Sequence, residues 1–143
     1  MAAEAAALCA CNNLRRASRA VTRLYDEAFR PIELRATQVT LLMALQRLGE
    51  VTLSELADET VSERTSVSRN LKPLEARGLV KVGPGDDGRV RLARLTPKGR
   101  EALGDAIDLW DAVQGNLTEE LGVRRLERML SDLKATVATA RVD

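Results

Sequence analysis

The order of helix and turn signals in the centre of the chain constrains the fold most. Thr52 and Glu55 have the spacing of a capping box, in which each side chain bonds a backbone amide of the other residue. This box predicts the start of a short helix over about 54–59. A second helix is predicted over about 63–77, with Ser62 as its cap and Gly78 in the left-handed conformation at its end. Two helices this close in sequence indicate a helix-turn-helix.

A β-hairpin is predicted directly after these helices. Residues 79–82 and 89–95 have strand composition, and glycine, proline and aspartate fill the connection between them. Alternation along the second strand places Arg89 and Arg91 on the same face. Because this connection is longer than a tight hairpin turn, we expect its tip to project from the domain.

Long helices are predicted at both ends of the chain. An apolar stripe of helical period indicates a helix over about 4–30, which Pro31 ends. Residues 97–140 are expected to form two more helices, capped by Thr96 and Thr118. The stripe residues are Leu14, Ala17, Val21, Leu24 and Ala28 near the start, and Leu126, Leu130, Leu133, Val137 and Ala140 near the end.

These elements predict a mainly α fold in a single domain over residues 1–143. A winged helix-turn-helix over about 37–96, with the β-hairpin as its wing, lies between the two long terminal regions. The first helix would be about 40 Å long, which is more than one small core can cover. We therefore expect the terminal helices of two chains to pair in a homodimer. An intramolecular helical hairpin is the alternative.

Composition argues against an enzyme. The chain has no histidine, which excludes serine–histidine and cysteine–histidine catalysis and histidine-containing metal sites, and no cofactor is expected. It has no apolar run of about 20 residues that could span a bilayer, so no membrane partner is expected. The first residues lack a basic secretory region, and there are only two cysteines. Together these features indicate a cytoplasmic protein.

The excess positive charge is concentrated in the centre. Residues 61–100 carry ten basic and four acidic side chains, although the whole chain has a net charge of only +1. A local cationic surface between two mildly acidic ends is typical of a protein that binds a polyanion. An ordinary solvated face is the alternative.

The outer face of the helix over 63–77 fits a DNA major groove. At about 100° per residue, Val67, Leu71 and Leu74 cluster on one side and are expected to face the core. The opposite side carries no acid, and its short hydroxyls and cations suit phosphates and guanine edges. Pro73 lies on this helix and predicts a kink. The outward residues are Thr65, Ser66, Ser68, Arg69 and Lys72.

The wing predicts a second DNA contact. Arg89 follows the turn at the tip and is expected to enter a minor groove, with Arg91 on the same face of the strand. Asp87 is expected to hold the Arg89 guanidinium in a bidentate pair. An exposed salt bridge without any partner is the alternative.

Five segments follow one another in an order that is specific as a set. They are Val51–Ala57 (VTLSELA), Arg64–Arg69 (RTSVSR), Leu74–Val80 (LEARGLV), Asp87–Arg89 (DGR) and Leu95–Gly99 (LTPKG). This set resembles the MarR family of bacterial transcriptional regulators. The resemblance implies a homodimer that binds pseudo-palindromic operators in double-stranded DNA, more often as a repressor. It implies DNA contacts for Thr65, Ser66, Ser68, Arg69 and Arg89, with Ser54 and Arg64 as phosphate partners.

The two cysteines suggest an input signal. In a helix, Cys9 and Cys11 would project about 200° apart, so they would not readily bond each other and only one could face inward. Cys11 and Tyr25 have the spacing of a reactive cysteine and a tyrosine in the organic-hydroperoxide sensors of the same family. Ala36 stands where those sensors have a further tyrosine. Thiol-based sensing and apolar packing of the cysteines both remain open.

A small-molecule inducer is the other input that the resemblance implies. Its pocket would lie between the dimerisation helices and the winged helix, and it would be mostly aliphatic because aromatic residues are scarce. The expected function is therefore sequence-specific regulation of transcription, with release by a small ligand or by thiol oxidation. A winged-helix interaction module whose basic face binds an acidic protein partner is the alternative.

Overall fold

The structure is a computed structural model that describes residues 1–141, and this part of the chain is mainly helical. It confirms the predicted winged helix-turn-helix with long terminal helices, and none of its helices is long and apolar enough to cross a membrane. The helices are α1 (Ala2–Leu8), α2 (Ala10–Phe29), α3 (Ala36–Leu48), α4 (Leu53–Glu59), α5 (Arg64–Ala76), α6 (Pro97–Leu121) and α7 (Val123–Ala140). The strands are β1 (Val51–Thr52), β2 (Val80–Pro84) and β3 (Arg91–Leu95).

The prediction of one continuous N-terminal helix was wrong, because the helix breaks at Cys9. This residue has extended backbone, and its Sγ accepts a hydrogen bond from the Asn12 amide at 3.5 Å. The side-chain amides of Asn12 and Asn13 donate to the carbonyl oxygens of Ala6 and Ala7 at 3.2 and 2.8 Å. These asparagines thereby satisfy carbonyls that α1 leaves unpaired at its C-terminal end.

The C-terminal end of α2 was predicted closely. The helix ends at Phe29, and Pro31 then lies in a short 3₁₀ turn over Arg30–Ile32. Proline is tolerated there because the first residues of a helical turn do not need their amides for intrahelical bonds.

The predicted capping signals are partly correct. Thr52 and Glu55 form the predicted box. The Glu55 amide donates to the Thr52 hydroxyl at 3.0 Å, and the Thr52 amide donates to the Glu55 carboxylate at 2.8 Å. Thr96 caps α6 as predicted. Ser62 does not cap α5, because its hydroxyl donates instead to a carbonyl in the preceding turn. Thr118 lies inside α6, which continues until Leu121 and ends at a glycine with positive φ.

The turn between α4 and α5 carries backbone strain at Val61. The Val61 amide donates to the Asp58 carbonyl at 3.2 Å and the Ser62 amide to the Ala57 carbonyl at 2.8 Å, which together form a Schellman motif. Val61 occupies the left-handed position of this motif with φ of +50°. Glycine is usual there, and Gly78 takes this role after α5, as predicted. A β-branched residue adopts this conformation only at an energetic cost.

The wing belongs to a three-stranded antiparallel sheet in the order β1-β3-β2. β1 has only two residues, so no alternation pattern predicted it. β3 begins at Arg91, so that Arg89 lies in the connection rather than in the strand. Pairing of Val80 with Leu95 and of Val51 with Ala93 joins the wing to the core.

The core lies between α3, α4, α5 and the sheet, and it is mostly aliphatic. Leu42, Leu56 and Leu74 are completely buried, and Phe29 is the aromatic residue buried among them. This core holds α5 by one side and leaves its other side open to solvent.

Candidate nucleic-acid interface

One side of α5 packs on the core and the other is exposed, as predicted. Val67, Leu71 and Leu74 are buried. On the outward side, Thr65, Arg69 and Lys72 are exposed, and Ser66 and Ser68 are half-buried beside them. The structure therefore brings the predicted major-groove residues together on one helix face.

The positive charges of this face are not paired with acidic groups within residues 1–141. The ion pairs found within residues 1–141 join Met1 to Glu4, Glu27 to Arg30, Arg47 to Glu59, and Glu50 to Arg94. Arg64, Arg69 and Lys72 take part in none of them. Because their charges have no local acidic partner, they are available to an external anion.

The start of α5 is also open to solvent. Glu63 occupies the capping position, and its side chain makes no capping hydrogen bond. Arg64 begins the helix and is exposed, as is Ser54 near the start of α4. The two predicted phosphate partners are therefore both accessible at helix starts, where the macrodipole favours anions.

Pro73 does not end α5. The helix continues through Ala76, and the Arg77 amide donates to the Pro73 carbonyl at 3.2 Å. Since proline has no amide hydrogen, the Arg69 carbonyl loses its usual partner one turn earlier. The proline is exposed on the outward side and leaves the core contacts of α5 in place.

The sequence predicted that Asp87 would hold the Arg89 guanidinium, and this prediction was wrong. Asp87 Oδ1 accepts hydrogen bonds from the backbone amides of Arg89 and Val90, each at 3.0 Å. The carboxylate therefore shapes the backbone of the wing, as aspartate often does in turns. The side chains of Arg89 and Arg91 are both exposed at the wing.

The predicted redox residues are not brought together within one chain. Cys9 and Cys11 are free and exposed, so neither faces the interior. Tyr25 lies fourteen residues after Cys11 on α2, which corresponds to about 21 Å along the helix. Its hydroxyl donates to Gln114 Oε1 on α6 at 2.8 Å, and burial raises the pKa of this phenol.

Two open grooves lie on the described surface. One, of about 310 Å³, lies between α4 and the end of α7 and is lined by Leu48, Val51, Glu55, Asp58, Glu59 and Arg141. The other, of about 370 Å³, runs along α2 beside Leu14 and Arg15. Neither groove is the mostly aliphatic pocket expected for an inducer.

The apolar stripes of α2 and α7 are exposed in the single chain. Three leucine or valine residues on each helix retain between 37% and 44% of their accessible surface, whereas Leu126, at the start of the predicted α7 stripe, is buried. A stripe of this length at the surface of a monomer indicates an interaction site. The residues are Leu14, Val21 and Leu24 on α2, and Leu130, Leu133 and Val137 on α7.

Sequence patterns gave no indication of the role of Arg77 at the end of α5. Its guanidinium donates to two backbone carbonyls of the segment that follows α2. Backbone acceptors exist in every sequence, so no residue pattern could have revealed this contact.

Comparisons with known proteins agree with this architecture. Residues 33–90 match the sequence profile of the MarR family. The chain is 38% identical to the Mycobacterium tuberculosis transcriptional regulator MosR in its complex with DNA; the alignment covers 94% of this chain and 99% of MosR, with a TM-score of 0.80. It is 28% identical to the transcriptional repressor CouR bound to a 23-mer DNA duplex, with 94% and 95% of the chains covered and a TM-score of 0.82.

A curated relative gives a shorter match. The uncharacterized HTH-type transcriptional regulator YdgJ of Bacillus subtilis (strain 168) is 34% identical over 68 residues. This alignment covers 47% of the present chain and 42% of that protein, so the chain matches less than half of the length of YdgJ.

Proposed function

Because this chain belongs to the MarR family of DNA-binding transcriptional regulators, we propose that it is a homodimeric bacterial repressor. Each α5 helix enters the major groove of one half of a pseudo-palindromic operator. The protein covers promoter DNA in the cytoplasm and leaves it when the separation of the two α5 helices changes. No catalytic role is proposed.

The observation that carries this proposal is the outward face of α5. It combines short hydroxyl side chains with exposed cations that have no acidic partner in residues 1–141. A helix that enters a major groove needs small side chains near the backbone and an arginine that can pair with guanine. Support comes from MosR and CouR, whose structures contain DNA.

The remaining interface residues have distinct roles in this proposal. Arg89 enters the minor groove next to the site, and the exposure of its side chain at the wing supports this role. Phosphate contacts come from side chains at helix starts, along α5 and on the wing, and Asp87 keeps the wing in shape. The phosphate-contacting residues are Ser54, Arg64, Lys72 and Arg91.

Dimerisation is proposed from the exposed stripes of α2 and α7. Pairing these stripes between two chains would bury apolar surface that a single chain leaves in water. A twofold axis between them would also present two α5 helices to one side of a duplex, as a palindromic operator requires.

We expect Arg69→Ala to weaken binding to the selected operator by about 1–3 kcal/mol and to relax the base preference at its position. The reason is that a guanine in the operator loses its bidentate partner, whereas binding to other duplexes loses only the attraction between one positive charge and the phosphates. Arg89→Ala should weaken binding more evenly across sequences. Fluorescence titrations on the operator and on scrambled duplexes measure both effects.

Arg19→Ala is the matched control, because Arg19 is an exposed arginine on α2 and is not among the proposed DNA contacts. It should leave both affinities nearly unchanged. An equal loss of affinity on all duplexes for Arg69→Ala would assign Arg69 to a backbone contact and would contradict base reading.

Release is proposed to follow a small ligand or oxidation of an exposed thiol. The thiol route is supported by the exposure of both cysteines and by the contact of Cys9 Sγ with the start of α2. Oxidation of Cys9 would disturb the junction between α1 and α2 next to the proposed dimer stripe. Since Tyr25 and Cys11 lie far apart on one helix, Tyr25 could approach a thiol only from the second chain.

Mild hydroperoxide is expected to lower operator affinity by on the order of tenfold, a coupling typical of regulated binding proteins. Cys9→Ser and Cys11→Ser, tested separately, identify the thiol, because the responsible substitution abolishes the response without changing the affinity of the reduced protein. Unchanged affinity of the oxidised wild type contradicts the thiol route and leaves release by a small ligand.

A further inference from the structure

Arg77 joins the end of α5 to the segment that follows α2. Its Nη1 donates to the carbonyl oxygen of Glu33 at 2.7 Å, and its Nη2 donates to that of Ile32 at 3.1 Å. Ile32 ends the 3₁₀ turn, and Glu33 follows it with φ of +54°. The guanidinium is a rigid fork with several donors, so one arginine can hold two neighbouring carbonyls in a fixed geometry.

The backbone of the same residue contacts the start of α6. The Arg77 carbonyl accepts a hydrogen bond from Lys98 Nζ at 2.8 Å, and Lys98 lies in the first turn of α6. Arg77 therefore connects α5 with both long helical regions, through its side chain to the end of α2 and through its carbonyl to α6. These contacts span 44 and 21 residues of sequence.

The position of Arg77 differs from that of the outward cations of α5. Arg77 is half-buried, and its charge faces carbonyls at the C-terminal end of a helical turn, where the dipole favours a cation. It lies thirteen residues after Arg64, or about 20 Å along α5 from the end expected to enter the groove.

We propose that Arg77 is a positioning residue that fixes the orientation of α5 relative to the dimerisation helices. This inference rests on the proposed function, because orientation matters only if two α5 helices read one duplex. Half-sites of such operators are separated by about one helical turn of DNA. A change of angle at the end of α5 would therefore disturb the fit of both helices at once, although each could still bind a half-site alone.

The experiment compares wild type, Arg77→Lys and Arg77→Gln on three duplexes. These are the operator selected by wild type from random DNA, the same half-sites with one base pair added between them, and a single half-site. Both variants should lose roughly tenfold in affinity for the full operator, while half-site affinity changes less than about twofold. The relative preference for the lengthened duplex should rise, and the salt dependence should stay as in wild type.

Two controls make the outcome specific to position. Arg77→Lys keeps the charge and removes the fork, so failure of lysine to restore full-operator affinity separates geometry from charge. Arg100→Gln removes one exposed positive charge from α6 and should bind all three duplexes within about twofold of wild type. Half-site binding also shows that each variant is folded.

Two results would overturn the inference while leaving the proposed function intact. One is full-operator affinity of Arg77→Lys equal to that of wild type. The other is an equal loss of affinity for all three duplexes, in which the plot of log binding constant against log salt concentration also becomes less steep by about one. That result would indicate a phosphate contact. If wild type selects no duplex sequence, the proposed function itself fails, and the inference fails with it.

Discussion

Gly99→Ala is expected to destabilise the protein by about 3 kcal/mol, because a methyl group there overlaps backbone atoms. A Cβ atom on Gly99 would lie 1.9 Å from the Leu79 carbonyl oxygen and 2.9 Å from Leu95 Cδ1. The Leu79 oxygen is itself held, since it accepts hydrogen bonds from the amide and the hydroxyl of Thr96 at 3.1 and 3.0 Å. The start of α6 would therefore have to move away from β2.

Gly104→Ala is the control, because it adds the same methyl group to the same helix. No neighbouring atom lies within 4 Å of a Cβ at Gly104, so this substitution should stabilise the helix by roughly 0.5–1 kcal/mol. Urea denaturation of both variants measures the change in the free energy of unfolding, which should have opposite signs for the two. Equal stability of Gly99→Ala and wild type would contradict the close packing of α6 on the sheet.

Leu130→Asp is expected to convert the dimer into monomers and to weaken operator binding by at least about a hundredfold. Leu130 lies in the exposed stripe of α7, and the twofold axis of a homodimer places the new carboxylate in the interface twice. Desolvating an unpaired charge costs more than the apolar contact contributes. A monomer then binds one half-site at a time, without the gain in affinity that two linked α5 helices have on a full operator.

Ser131→Asp adds the same charge one residue further along α7. This position is exposed and lies about 100° around the helix from Leu130, outside the stripe. The variant should remain a dimer and bind the operator as wild type does. Sedimentation velocity at micromolar concentration and operator titration measure both variants. A Leu130→Asp protein that sediments as a dimer would contradict the assignment of the stripe to the interface.

Local signals in the sequence predicted most of the fold. The capping box at Thr52 and the left-handed position of Gly78 depend on residues only a few positions apart, so both could be recognised from spacing. The break at Cys9 was missed, because the alanine-rich residues before it favour a helix, and the side chains of Asn12 and Asn13 bond carbonyls six residues back. Thr118 was misassigned because a threonine hydroxyl can bond a carbonyl inside a helix as well as cap one.

The candidate site was predictable to the extent that helical period determines which side chains face outward. The helical period predicted that Val67 would be buried and Arg69 exposed, and both are so in the structure. The partner of Asp87 was wrongly predicted, because a carboxylate accepts equally well from backbone amides and from a guanidinium. The contact of Arg77 joins segments distant in sequence and could be found only from the fold.

Selection of duplexes by the wild-type protein tests the central claim, that two α5 helices read one operator. Random DNA is incubated with the protein, bound duplexes are amplified and sequenced, and the stoichiometry and affinity of the best sequence are measured at two salt concentrations. The claim predicts a pseudo-palindrome with half-sites about one helical turn apart, two chains per duplex and a steep loss of affinity with salt. Recovery of no preferred sequence, as expected for an interaction module that binds acidic proteins, would contradict it.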